Sequence, residues 1–196
     1  MQREKRLAMV TGLLLLLTAL PLRAEQAIFA SGCFWCTESD FEKVEGVSEA
    51  VSGYIGGSVE NPSYHAVSAG ETGHTEAVRV EFDPAVVSYE ELLDVYWRNV
   101  DPTTDDRQFC DKGSQYRPGL FPLSDAQETA AQASKQAVIE AGKVSPVLVE
   151  ITSGKTFYRA ETYHQDYYKK NPLRYRYYRY ACGRDARLDE LWGTSD

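Results

Sequence analysis

Two cysteines stand three residues apart in Gly32-Cys33-Phe34-Trp35-Cys36, directly after the run Gln26 to Ala30 and the pair Ser31-Gly32. A strand that leaves through Ser-Gly into a helix puts a thiol on the first helical turn. There the unpaired backbone N–H groups and the positive end of the macrodipole favour thiolate over thiol. Cys33 is therefore expected to be nucleophilic near neutral pH. Cys36 projects to the same side of an ideal helix with its Cα about 5 Å away, within the range a disulfide tolerates. The spacing alone supports a redox dithiol, half of a zinc site or a pair of inert buried thiols, and does not choose among them.

The other groups with chemical potential are equally open when read singly. Glu76 stands between Thr72-Gly73-His74 and an alternating strand, and an isolated Glu there is ordinarily solvated. Tyr64 and Tyr116 belong to a set of 13 tyrosines, most of which must be structural. Phe34 and Trp35 at a helix start read first as core. His74 and His164 read as hydrogen-bonded turn residues rather than triad members or metal ligands. Cys110 and Cys182 lack the close spacing of a second zinc knuckle, so no metal is expected.

These residues need a scaffold, and periodicity supplies one. Gln26 to Ala30, Val47 to Tyr54, Ala77 to Phe82 and the β-branched Val147 to Thr152 read as strands. The segment after Cys33, through Phe34, Trp35, Phe41 and Val44, reads as a helix. So does Ser88 to Val100, through Leu92, Leu93, Tyr96 and Val100. Ser124 to Ala141 is a third helix, with Ser124 as N-cap and Gly142 as terminator. Strands and helices interleave without a strict βαβ repeat. The expected fold is α+β, a two-layer α/β sandwich with a mixed sheet flanked by helices and an irregular C-terminal stretch wrapping over it.

Arg3, Lys5 and Arg6 precede an apolar run from Val10 to Leu20, too short for a typical membrane span of about 20 residues, and Ala24 closes the segment. That is the pattern of a secretory leader, residues 1–24, followed by one domain, residues 25–196. Export to the periplasm is expected, with an uncleaved membrane anchor as the alternative. The formal charge of −8 becomes more negative once the leader's cations are removed. So acidic a domain argues against a nucleic-acid partner, which needs a concentrated cationic surface. The Arg- and Tyr-rich tail from Leu173 to Leu188 could stack on single strands, but reads better as a solvated wrapping segment.

Read together, the motifs resemble one family. Gly32-Cys33-Phe34-Trp35 with Glu38, Gly53-Tyr54 with Gly56-Gly57, Asn61-Pro62-Ser63-Tyr64 and Thr72-Gly73-His74-Thr75-Glu76-Ala77-Val78 follow in order. Asp101-Pro102-Thr103, Asp111-Lys112-Gly113-Ser114-Gln115-Tyr116-Arg117 and Tyr163-His164-Gln165-Asp166-Tyr167 with Asn171-Pro172 continue it. The whole resembles peptide methionine sulfoxide reductase A, in its Cys-Phe-Trp-Cys variant.

The resemblance implies a ferredoxin-like core and reduction of the S epimer of methionine sulfoxide, free or in peptides, through a sulfenic acid. It implies Cys33 as nucleophile, Phe34 and Trp35 as the slot for the ε-methyl group, and Glu76, Tyr64 and Tyr116 around the sulfoxide oxygen, supported by Asp111. No bound cofactor is implied; electrons come from a thioredoxin-like reductant or a dithiol. The partners implied are oxidised proteins or peptides and that reductant, with a monomeric enzyme and no stable membrane partner.

The chemistry is coherent with those roles. A carboxyl group can protonate the oxygen at neutral pH only if burial raises its pKa, and two phenols can hydrogen-bond the oxygen without adding charge.

The thiols depart from the commonest family pattern. The usual recycling cysteine after Asn-Pro-x-x-Tyr is Arg176 here, which leaves Cys36 as the expected resolving thiol. In an oxidising compartment Cys110 and Cys182 would then pair in a structural bridge. A general dithiol-disulfide oxidoreductase is the alternative function, although the bulky Phe34-Trp35 between the thiols suits a narrow apolar slot better than a broad polypeptide groove.

Overall fold

Alternating burial builds the central sheet. In the computed structural model, which describes residues 24–193, β1 (Glu25–Ala30) runs antiparallel to β3 (Thr75–Phe82), which runs antiparallel to β2 (Val47–Ile55). Between them lie α1 (Phe34–Phe41) and α2 (Tyr64–Ser68), and α3 (Tyr89–Arg98) follows β3. A small hairpin of β4 (Arg107–Gln108) and β5 (Asp111–Lys112) precedes β6 (Gly119–Leu120), α4 (Asp125–Ala141) and β7 (Glu150–Ile151). The chain ends with β8 (Tyr158–Arg159), α5 (Tyr167–Lys170), α6 (Pro172–Ala181) and α7 (Arg184–Trp192). Nearly all of the leader read from the sequence, residues 1–23, lies outside the described residues.

The sheet order is β7-β6-β1-β3-β2-β8, and only the β6–β7 pair is parallel, so the sheet is mixed and mostly antiparallel. Within it, β1-α1-β2-β3-α3-β6 is a βαββαβ unit with strands ordered β6-β1-β3-β2, the ferredoxin-like arrangement. One face carries the main core, where Phe29 stacks on Phe41 at 4.5 Å and on Tyr96 at 5.8 Å beneath α1 and α3. The other face presents Ile28, Ala30, Ile55 and Ala77, covered by Phe121 and Phe157. Burying such side chains contributes about 1.5–3 kcal/mol each.

Caps fix the helix boundaries. Ser88 and Glu91 form a reciprocal capping box at α3, and Ser124 caps α4, which Gly142 ends in the left-handed region. Two expectations need correction. The strand from Val147 to Thr152 shortens to Glu150–Ile151, because its sheet partner β6 is only two residues long and the Leu148 N–H bonds Pro102 O instead. The C-terminal wrap is helical rather than irregular. Pro172 starts α6, Gly183 at φ +68° separates it from α7, and the inward positions are Tyr175, Arg184 and Leu188. With so few aliphatic residues facing inward, no apolar period marks these helices in the sequence.

Cys110 and Cys182 form a disulfide with a Cα–Cα separation of 4.9 Å, tying the end of α6 to the β4–β5 hairpin across 72 residues. Closing so long a loop restricts the unfolded chain. The double replacement Cys110→Ser/Cys182→Ser is expected to lower stability by about 2–4 kcal/mol, read from the shift of the urea midpoint at unchanged slope.

Candidate active site

Cys33 occupies the N-cap of α1, and the turn that delivers it depends on Gly32. That residue sits at φ +86°, and a Cβ there would lie 2.5 Å from Gln108 Cβ. Gln108 is in turn fixed by the Asp101 backbone, which it both accepts from and donates to. The Cys33 carbonyl accepts from the N–H groups of Cys36 and Thr37 and from the Thr37 hydroxyl.

Glu76, the second residue of β3, reaches the same point from the sheet. Its Oε2 accepts from the Phe34 N–H at 2.9 Å, the first free donor of α1. Glu76 is 2 % exposed, and burial, opposed by that hydrogen bond and reinforced by Asp111 and Cys36, pushes its carboxyl up to about 8.

This arrangement corrects the expected acidity of Cys33. The helix N-terminus is already engaged by Glu76, and burial lifts the Cys33 thiol well above its ordinary value, with Cys36, Glu76 and Asp111 adding to the rise. Cys36 moves the other way, lowered by its hydrogen bond with Cys33 and by Arg184 and Arg179, against burial and Asp40. Cys33 is thus the more basic sulfur of the pair and Cys36 the more acidic, and neither is in a disulfide.

Three further elements close around them. Thr75 Oγ1 donates to the carbonyls of Gln115 and Arg117, fastening the single 3-10 turn Ser114–Tyr116 beside Glu76. Burial and then Glu76 raise the Tyr116 hydroxyl, with Asp111, Tyr64 and Cys33 contributing. Tyr64 opens α2, its N–H held by Glu161 Oε1 at 2.8 Å while the Tyr54 hydroxyl donates to Glu161 Oε2 at 2.7 Å. Its own hydroxyl is pushed up to about 12 by burial, Glu76 and Cys33. Asp111 in β5 accepts from the Tyr178 hydroxyl of α6, and burial raises its carboxyl against Tyr178 and Arg184. At this site phenols stay protonated and available as donors.

The aromatic pair divides. Phe34 is 1 % exposed and packs among Tyr54, Tyr64 and His164, so it is the floor of the site. Trp35 is half-buried, stacked on Tyr167 at 3.7 Å with Tyr178 at its edge, and its indole N–H donates to His164 Nδ1 at 3.0 Å. His164 thus positions Trp35. His74 accepts from Gly57 N–H and contacts Val59 O, which places it in the loop between β2 and β3.

Cys110 and Cys182 are bonded to each other and exposed or half-exposed, so they form a pair separate from Cys33 and Cys36.

The sequence assigns no site role to Tyr178 or Glu161, and marks Tyr54, Tyr167 and Glu38 only as motif members. Glu38 is 1 % exposed, accepts from Ser52 Oγ and the Asp166 N–H, and is pushed up to about 7 by burial. It ties α1 to β2 and α5. Polar spacing around Glu38 gave no signal of that, and the tail tyrosines were hidden in a segment rich in their own kind.

The family model described as peptide methionine sulfoxide reductase matches residues 25–196. The Vibrio cholerae peptide methionine sulfoxide reductase MsrA/MsrB is 51% identical over 171 residues, 87% of this chain; the chain spans only 45% of that longer protein. The Caulobacter vibrioides peptide methionine sulfoxide reductase MsrA 2 is 48% identical over 87% of each chain. Among solved structures, reduced Mxr1 from Saccharomyces cerevisiae is similar at TM-score 0.69 and 34% identity, covering 78% of this chain and 88% of its own. Mxr1 in complex with Trx2 is similar at TM-score 0.53 and 26% identity, covering 75% and 86%.

Proposed function

Because the chain belongs to the peptide methionine sulfoxide reductase family, we propose that it is the thiol-dependent enzyme that returns the S epimer of methionine sulfoxide, free or in peptides, to methionine. The observation that carries this reading is the buried Glu76 carboxyl on the first N–H of α1, adjoining the Cys33 thiol and raised to about 8. At neutral pH it is mostly protonated. It can donate to a neutral S=O oxygen and repels nothing until that oxygen gains charge.

The steps follow from the proton positions. Cys36, entering the step as thiolate, takes the Cys33 proton as the Cys33 sulfur attacks the sulfoxide. Glu76 protonates the departing oxygen, the phenols of Tyr64 and Tyr116 hydrogen-bond it, and the S–O bond breaks to give methionine and a Cys33 sulfenic acid. The Cys36 sulfur then attacks Cys33, a disulfide forms, and the hydroxyl leaves with the Cys36 proton as water. A dithiol or thioredoxin-like protein returns the disulfide to thiols, a partner class supported by the complex of Mxr1 with Trx2. Trp35, clamped by Tyr167 and His164, offers an apolar wall for the ε-methyl group above the Phe34 floor. Asp111 and Tyr178 support Cys33 from the tail. A buried, protonated carboxyl beside the nucleophile has no part in simple thiol–disulfide exchange, which disfavours the general oxidoreductase reading.

Cys36→Ser tests the scheme. It is expected to release a single methionine per enzyme and then stop with a thioredoxin-type donor, because the sulfenic acid has no partner; sustained turnover with that donor would remove Cys36 from the resolving role. Export is part of the same proposal, supported by the leader-like residues 1–24 and by the accessible Cys110–Cys182 bond, a type rare in reducing compartments. Oxidised exported proteins would then be the substrates, and the enzyme would act as a monomer without a bound cofactor.

A further inference from the structure

The Arg- and Tyr-rich tail has no function in the scheme above, yet two of its arginines point inward behind the resolving thiol. Arg184, the first residue of α7, is 1 % exposed. Its guanidinium donates to Ser31 O at 3.0 Å, Ser31 Oγ at 3.3 Å and Asn99 O at 2.6 Å, and lies 4.5 Å over the Phe109 ring. Carbonyls and a hydroxyl accept from its two terminal nitrogens without cancelling its charge, and its Nε is buried without a partner.

Its nearest carboxylate is Asp40, at 3.6 Å, with a side chain 7 % exposed. Asp40 is shared, because Arg179 of α6 approaches it at 2.7 Å. The only other acid on Arg179 is Asp185, whose side chain is 61 % exposed and screened by solvent. Two cations therefore divide one buried anion, and the cluster carries excess positive charge.

The anion that completes it stands one helical turn away. Cys36 and Asp40 are four residues apart on α1, which brings their Cβ atoms to about 5–6 Å. Cys36 is 1 % exposed and packed against Tyr167 and Tyr175, and the Tyr175 hydroxyl also accepts from Arg179 at 3.1 Å.

We propose that Arg184 and Arg179, brought in by the C-terminal helices, are positioning residues for Cys36, their buried charge stabilising the thiolate that Cys36 must form before it attacks the Cys33 sulfenic acid. The step is the one already balanced: the Cys36–Cys33 bond forms, the Cys33–O bond breaks, and hydroxyl leaves with the Cys36 proton as water. Through Ser31, Arg184 also holds the turn that presents Cys33. The tail thus contributes electrostatics to the resolving step. The titratable and charged groups around Cys36 are Cys33 at the N-cap of α1, Asp40 from α1, Glu76 from β3, Tyr167 and Tyr168 from α5, Tyr175, Tyr178 and Arg179 from α6, and Arg184 from α7. Of these only the arginines are permanent cations, and they lower the Cys36 thiol as their position requires.

The inference rests on Cys36 being the resolving thiol, and the experiment separates the two. Enzyme is mixed with one equivalent of methionine S-sulfoxide, and Cys33 sulfenic acid is followed by quench with dimedone and mass spectrometry across a pH series. The variants are Arg179→Met, Arg184→Met, Arg184→Lys and Cys36→Ser. Loss of either charge makes the Cys36 thiol more basic, and for each tenfold fall in the thiolate fraction the more nucleophilic thiolate recovers about threefold, so disulfide closure slows about threefold.

Arg179→Met and Arg184→Met are expected to prolong the sulfenic acid about that much and to move the rising limb of closure to higher pH. Arg184→Lys, which keeps the charge and loses the fork, is expected to return the limb toward its original position. A loss of packing alone would not move the limb or be rescued by Lys. Closure as fast as in the parent enzyme, with an unmoved limb in either folded methionine variant, would overturn the proposal; should Arg184→Met fail to fold, Arg179→Met decides it. A disulfide closing at the parent rate in Cys36→Ser would instead overturn the assignment of Cys36 beneath it.

Discussion

Replacing Glu76 by Gln should slow methionine release by about 10²- to 10⁴-fold, the range of a positioned general acid, while the protein folds as before. The amide oxygen of Gln can still accept from the Phe34 N–H, so the contact that seats the side chain survives. What is lost is the transferable proton. The pH profile makes the test specific. Only the protonated carboxyl donates, and burial raises it to about 8, so the parent enzyme should release methionine at a steady rate through neutrality. Above about pH 8 the rate should decline, approaching tenfold per pH unit. The variant has no acid to lose there, and its low rate should lack this descending limb. The stability comparison has a matching sign. A carboxyl that is more basic folded than unfolded contributes most below its unfolded pKa, and that contribution disappears as pH rises toward about 8. Glu76→Gln should therefore gain stability relative to the parent on going from acid to mild alkali, as thermal melts across that range would read.

Cys33→Ala is expected to release no methionine, not even the single equivalent that Cys36→Ser allows. The scaffold does not need the sulfur. Cys33 contributes its carbonyl to α1, and its backbone at φ −48°, ψ 116° suits alanine. Truncating one small, nearly buried side chain should cost no more than about 1 kcal/mol, so a folded and inactive protein is the predicted outcome. Cys36 is no substitute, because it lies deeper, at 1 % exposure, packed against Tyr167 and Tyr175. Circular dichroism together with chromatographic assay of free methionine after one equivalent of sulfoxide would check both halves.

Much of this was legible in the residue order. The strand that ends in Ser31-Gly32, the helix that begins beyond Cys33, and the strand that runs from Ala77 to Phe82 follow from local patterning, and the structure keeps all three. Ser88 and Ser124 cap where their side chains predict. The acidity of Cys33 was not legible, because it depends first on burial and then on Cys36 and on carboxyls brought in from elsewhere in the chain, while the first helix N–H goes to Glu76, 42 residues away. A reading of the helix alone assigns that donor to the sulfur. The tail was equally opaque. Its helices face inward with Tyr175, Arg184 and Leu188, residues that a hydropathy pattern treats as unlike, and Tyr178 meets Asp111 across 67 residues. Motifs located the site; burial and long-range pairing decided which sulfur is the more basic.

The central claim is that the Cys33 sulfur takes the oxygen from the sulfoxide while Glu76 supplies the proton. The direct measurement is mass-spectrometric mapping of Cys36→Ser enzyme after reaction with one equivalent of methionine S-sulfoxide and capture by dimedone. The adduct is predicted on the peptide carrying Cys33, in step with the methionine released, and absent with the R epimer. Methionine appearing without any adduct at Cys33, or an adduct mapped to Cys110 or Cys182, would contradict it.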